Sequence, residues 1–141
     1  MKIIPHVLKL LEWNTRPLTM LDFDNACEQL GILVLRINMP TRGMYFVRKG
    51  QHVIALSTRI FGVELLETAW HEFGHYLLHP VGLRYFSRGT LNKAEAQADE
   101  IALCAVIDQR TLCRIITYGE LHYFPRKLLN RRLKLYESRG R

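Results

Sequence analysis

The stretch Gly62-Val-Glu-Leu-Leu-Glu-Thr-Ala-Trp-His-Glu-Phe-Gly-His-Tyr-Leu-Leu-His79 decides how this chain is read. It contains His71-Glu72-Phe73-Gly74-His75, an H-E-x-x-H pattern. On a helix, positions i and i+4 share a face one turn apart, so His71 and His75 can offer two imidazole nitrogens to one metal ion. Glu72 falls beside that face, where it can take a proton from water held at the ion. The surroundings read as helix. Val63, Leu66, Trp70, Phe73 and Leu77 recur at helical steps and form an apolar stripe. Glycine costs about 1 kcal/mol in a helix interior, so Gly74 predicts a close neighbour against the backbone. Pro80 predicts the end of the helix.

Downstream lies Glu95-Ala96-Gln97-Ala98-Asp99. The Ala-rich run from Lys93 to Ile107 predicts a second helix, with Glu95 and Asp99 one turn apart on one face. Ala98 and Ala102 are small enough for two helices to approach closely. Glu95 would complete a set of two His and one Glu, leaving the fourth tetrahedral position for water, as a catalytic zinc site requires. Asp99 would then accept the free imidazole N–H of a ligand histidine and fix its tautomer. A plainer reading also fits Glu95: Asn92-Lys93-Ala94-Glu95 has the form of a capping box, with Asn92 as N-cap. The separation from H-E-x-x-H favours the ligand.

His-Glu-Phe-Gly-His-Tyr-Leu-Leu-His at 71–79 resembles the H-E-x-G-H-x-x-L-H signature of the ImmA/IrrE-type zinc metallopeptidases, in the broader gluzincin class. The segment from Glu95 to Ala102 is similar to their E-x-x-A-[DN]-x-F-A segment, with Ile101 in the aromatic place. The resemblance runs from about residue 19 to the end. It implies one zinc ion per chain held by His71, His75 and Glu95, with Glu72 catalytic. It also implies cytoplasmic cleavage of repressor or antitoxin-like DNA-binding proteins. The chain departs from the family after the second motif, where Cys104-Ala105-Val106-Ile107-Asp108 replaces a Leu-Leu-Met-Pro-like stretch. That difference bears on substrate contacts and not on the metal ligands.

The 141 residues are expected to form one metallopeptidase domain. An apolar fraction of 48% and a charged fraction of 23% are ordinary for a globular protein. No apolar run is long enough to span a bilayer, so no membrane partner is expected. Cys27, Cys104 and Cys113 make no C-x-x-C pair and predict a reduced, cytoplasmic protein. The net charge is +7. From Arg126 to Arg141, seven basic residues stand against Glu137, so this tail carries +6 and the remainder about +1. A C-terminal basic helix is expected over about 125–138, with Leu128, Leu129, Leu133 and Tyr136 as its buried stripe and its basic residues on the remaining surface.

A short helix is expected within 2–13 and another from about Thr19 to Leu30, closed by Gly31. Ile32 to Ile37 reads as a buried strand. Met44 to Arg48 and His52 to Ser57 read as two strands joined through Lys49-Gly50-Gln51. The expected fold is α+β: a small, mostly antiparallel three-stranded sheet packed with helices, among them the H-E-x-x-H helix and the Glu95 helix. An exposed strand edge beside the metal would suit an extended peptide. Pro80 to Lys93 reads as a connection that rims the cleft, with Tyr85 and Phe86 packing or facing substrate. Asp108 predicts the cap of a helix reaching Thr117.

His79 continues the i+4 series, but in a straight helix it stands about 12 Å along the axis from His71. It is expected to orient the site or bind substrate, or simply to pack. Tyr76, His79, Tyr85, His122 and Tyr123 are candidate donors to a developing oxyanion. The basic tail has the ordinary reading of a solvated helix face and a sharper one of attraction to DNA. The sequence therefore predicts a zinc-dependent endopeptidase acting on a separate protein, with a helix-turn-helix repressor as the partner by analogy. Two rivals are a zinc-containing module that sequesters a regulator without cutting it, and a basic nucleic-acid-binding protein with an accidental motif.

Overall fold

A computed structural model describes residues 5–79 and 88–141. Most of the connection expected between the motif helices, including Pro80, Tyr85 and Phe86, lies outside the described residues. The chain divides into two compact units, one of residues 19–102 and one of residues 1–18 with 103–141. No described helix is long and apolar enough to cross a membrane.

The first unit opens with α2, Met20–Leu30 (α1, His6–Leu10, belongs to the other unit). Thr19 and Asp22 form a capping box, each side chain accepting from the other's backbone N–H. Gly31 closes the helix in the left-handed conformation, at φ 71. Three strands follow: β1, Leu33–Ile37, β2, Gly43–Arg48, and β3, Gln51–Ser57. Lys49 and Gly50 both have positive φ, 51 and 78, which is what a tight two-residue hairpin turn needs. That turn makes β2 and β3 antiparallel. β1 then pairs with the other side of β3, in parallel, to give the order β1-β3-β2. The sheet is therefore mixed rather than mostly antiparallel.

The continuous aliphatic run predicts that 32–37 is the buried strand. The structure corrects this. β1 lies at an edge, with Leu33 46% and Ile37 41% exposed, and β3 is the central strand, buried without interruption from Val53 to Ser57. Both runs are apolar, and β3 is in the middle because β2 pairs with one side of it and β1 with the other.

α3, Gly62–Leu78, packs on β2 and β3. Every residue from Thr68 to His75 is buried except His71, which is half-buried, so the expected stripe is only part of its packed surface. Trp70 and Phe73 meet Phe23 of α2 in edge-to-face contacts, with centroids 5.7 and 6.3 Å apart. α4 runs Arg88–Val106. It starts well before the expected Lys93, so Asn92 lies inside the helix and is not an N-cap. The capping-box reading of Glu95 falls with it.

In the second unit, Asp108 caps α5, Gln109–Tyr118, by accepting from the Thr111 N–H. α6 runs Arg126–Arg139 behind Pro125. Leu8, Trp13, Leu18, Ile107, Leu112 and Leu128 are buried here. Arg132 corrects the expectation that the basic residues of α6 lie on its surface. It is fully buried, donating from Nε to the Ile107 carbonyl at 2.6 Å and from Nη2 to Asn14 Oδ1 at 3.1 Å and to the Arg141 carbonyl. Tyr136, expected to be buried, is 42% exposed. Cys27, Cys104 and Cys113 are free thiols.

Candidate metal centre

α3 carries His71 and His75 one turn apart, and α4 brings Glu95 across to them. Close helix approach makes this reach possible. A Cβ on Gly74 would lie 3.1 Å from the Ala98 Cα, so only glycine fits there without displacing α4. Glu95 Oε2 stands 2.9 Å from His71 Nε2, and its Oε1 stands 2.9 Å from His75 Nε2. The two Nε2 atoms are 3.1 Å apart. One ligand atom from each of the three residues lies within 4.8 Å of the others.

The outward nitrogens of both imidazoles are occupied. His71 Nδ1 is 2.8 Å from Asp99 Oδ1, one turn on from Glu95. His75 Nδ1 is 3.1 Å from His79 Nδ1, and His79 Nε2 is 3.0 Å from Gln97 Oε1. His79, expected to orient the site, to bind substrate or to pack, is buried behind His75, on the opposite edge of that ring from Glu95. Nothing in the sequence marks Gln97, because its partner sits on another helix.

Glu72 is buried beside the cluster and accepts a hydrogen bond from the Tyr45 N–H of β2. Gly43 lets β2 come this close. A Cβ there would stand 2.7 Å from Thr68 Cγ2 and 3.4 Å from Glu72 Cγ. Ser57 N donates to the Arg42 carbonyl at 2.8 Å. By strand alternation, Arg42, Met44 and Phe46 then turn their backbone groups toward β3, while Gly43, Tyr45 and Val47 turn theirs to the outer edge of the sheet, which no described strand covers.

Burial pushes the Glu72 carboxyl up to about 7; Glu95 adds to this, and His71, the Tyr45 N–H and Arg42 oppose it. Burial and the neighbouring His71 hold His75 down at about 4. Burial also works against charge on His71, but the hydrogen bond to Asp99 and the carboxylates of Glu72, Asp99 and Glu95 outweigh it and raise its pKa. Two imidazole nitrogens and a carboxylate, with both outer nitrogens held by partners, form a donor set that fits a metal ion.

The sequence model of the IrrE N-terminal-like domain, Peptidase M78, matches residues 27–131. The chain belongs to this peptidase family. No curated protein and no solved structure matches it. In this M78 domain the matched span covers the sheet, both motif helices and α5, and ends within α6.

Of the oxyanion candidates, His79 is turned away from the cluster. Tyr76 packs edge-to-face against His52 and Tyr45, with centroids 5.1 and 6.0 Å apart. Tyr45 Oη lies 2.7 Å from His52 Nδ1, and burial followed by Tyr76 pushes the Tyr45 hydroxyl up to about 12. His122 and Tyr123 are exposed residues of the second unit. Tyr85 lies outside the described residues.

Proposed function

We propose that this chain is a zinc-dependent endopeptidase that cuts a separate protein in a reducing, cytoplasmic setting. The observation that carries this reading is the meeting of Glu95 with both histidine Nε2 atoms beside a buried Glu72. His71, His75 and Glu95 would hold the ion, a borderline nitrogen and oxygen set that suits zinc. Zinc bound there supplies Lewis acidity to a scissile carbonyl and acidifies water. Glu72, held by the Tyr45 N–H, takes the proton of the attacking water and delivers it to the leaving amide nitrogen. A structural metal site has no use for a carboxylate in this position. The edge of β2 beside Glu72, which no described strand covers, supports an extended peptide laid along Gly43, the Tyr45 carbonyl and Val47 as an added strand. A DNA-binding repressor is the substrate class that family membership favours.

Two measurements test the proposal. Elemental analysis should find near one zinc per chain in the wild type and clearly less in Glu95→Ala. Labelling of new protein N-termini in cells should find ends that are present with the wild type and absent with Glu72→Gln, which keeps its metal. Identical ends from both proteins would overturn the peptidase mechanism and leave a binding role.

A further inference from the structure

The structure assigns Gln97 a role in the metal site: acting through His79, it supports the tautomer of His75 in which Nε2 offers its lone pair to a metal ion. The inference rests on the metal-site reading above.

The two histidines of the site are held differently. His71 Nδ1 faces Asp99, a carboxylate that can only accept, at 2.8 Å. With a metal ion on Nε2, the proton of His71 sits on Nδ1 and is donated to Asp99. His75 Nδ1 faces another imidazole nitrogen, His79 Nδ1, at 3.1 Å. Such a pair does not order itself. Between two neutral imidazoles one nitrogen donates and the other accepts, and both directions satisfy the contact equally. If His79 donates, the remaining proton of His75 sits on Nε2, 2.9 Å from Glu95 Oε1. His75 then has no lone pair to give a metal. If His75 donates, its Nε2 is bare and aimed at the cluster.

Without a metal ion, Glu95 Oε1 draws the His75 proton to Nε2; Gln97 supports the other order, the one a metal ion needs. Its Oε1 lies 3.0 Å from His79 Nε2 and accepts a hydrogen bond there. With its proton on Nε2, neutral His79 has a bare Nδ1, which accepts from His75 Nδ1–H. The direction is passed along the whole chain, from Gln97 to His79 to His75. Turned over, the Gln97 amide would present its NH2 and impose the opposite order, which is incompatible with ligation. His75 and His79 are both buried, so bulk water does not substitute for the missing acceptor. Gln97 lies between Glu95 and Asp99 on α4, so one helix supplies a ligand and the orienting partners of both histidines.

The role is one of positioning, and zinc affinity and a nuclear resonance signature read it directly. Gln97→Glu keeps an acceptor and removes the competing NH2. Gln97→Leu keeps similar bulk and removes the acceptor. Zinc affinity measured by chelator competition should be retained in Gln97→Glu and fall about 10- to 100-fold in Gln97→Leu. Long-range proton–nitrogen-15 spectra of the zinc-loaded wild type should show His75 protonated on Nδ1 and His79 protonated on Nε2. Wild-type affinity in Gln97→Leu, or a His79 proton on Nδ1 in the zinc-loaded wild type, would overturn the relay while leaving the three-ligand site intact. Failure of the wild type to bind zinc would instead defeat the metal reading, and the relay with it.

Discussion

A Cβ added to Gly74 of α3 would lie 3.1 Å from the Cα of Ala98 on α4 and 3.3 Å from its carbonyl oxygen. Both are backbone atoms and cannot swing aside as a side-chain tip would. Gly74→Ala should gain about 1 kcal/mol of helix propensity and lose about 1–3 kcal/mol to overpacking. It should also move Glu95 away from His71 and His75. The expected outcome is a less stable protein that binds zinc more weakly, read from urea melts in chelator and from chelator competition. A Gly74→Ala protein that is more stable and holds zinc as the wild type does would show that the two helices are not in contact here.

The parts of this site fixed by local geometry were legible in the sequence. His71 and His75 share a face because any helix puts i and i+4 together, and Gly74 announced a close neighbour because its cost demanded one. Ala98 answered it on the facing helix. The remainder depended on which elements meet. Gln97 lies on α4 and His79 just past the end of α3, 18 residues apart, and no periodicity connects them. Asn92 carried a cap residue's chemistry inside a longer helix. Ile32 to Ile37 and Val53 to Ser57 have the same apolar character, and only strand order makes one an edge and the other the centre. Arg132 looked like its neighbours in a basic run, and burial is a property of the packing around it.

Glu72 offers a test by pH. Burial holds its carboxyl at about 7 in the folded protein, against 4.5 for the unperturbed group. Between those values the metal-free folded state keeps a proton that the unfolded chain has lost. This contribution favours folding at the acidic end and disappears as pH rises through 7. His75 works the other way: held down at about 4 against 6.5, it favours folding as pH rises between those values. The two are separated by comparing proteins. Glu72→Gln removes the first contribution and weakens the similar one of His71, whose pKa Glu72 helps to raise. In chelator, wild-type urea midpoints should fall relative to those of Glu72→Gln as pH goes from about 5 to about 8. Parallel midpoints would show that the carboxyl is not held in this buried setting.

Arg132 and Lys127 lie on the same helix and carry the same charge, yet they should respond oppositely to removal. Lys127 is exposed, and Lys127→Ala should change stability by no more than about 0.5 kcal/mol. Arg132 is fully buried, and its guanidinium serves the Ile107 carbonyl, Asn14 Oδ1 and the Arg141 carbonyl. Ile107 lies just after α4, Asn14 lies between α1 and α2, and Arg141 follows α6. One side chain thus ties three separate stretches of its unit together. Arg132→Leu restores apolar bulk but leaves those acceptors without their charged donor, at a cost of about 2–4 kcal/mol. Urea melts of the two variants would show the difference directly. Equal, small effects would return Arg132 to the solvated face with its neighbours. A large effect confined to Arg132 means that the charge run serves two purposes, with one cation fastening the unit from within and the others left to the surface.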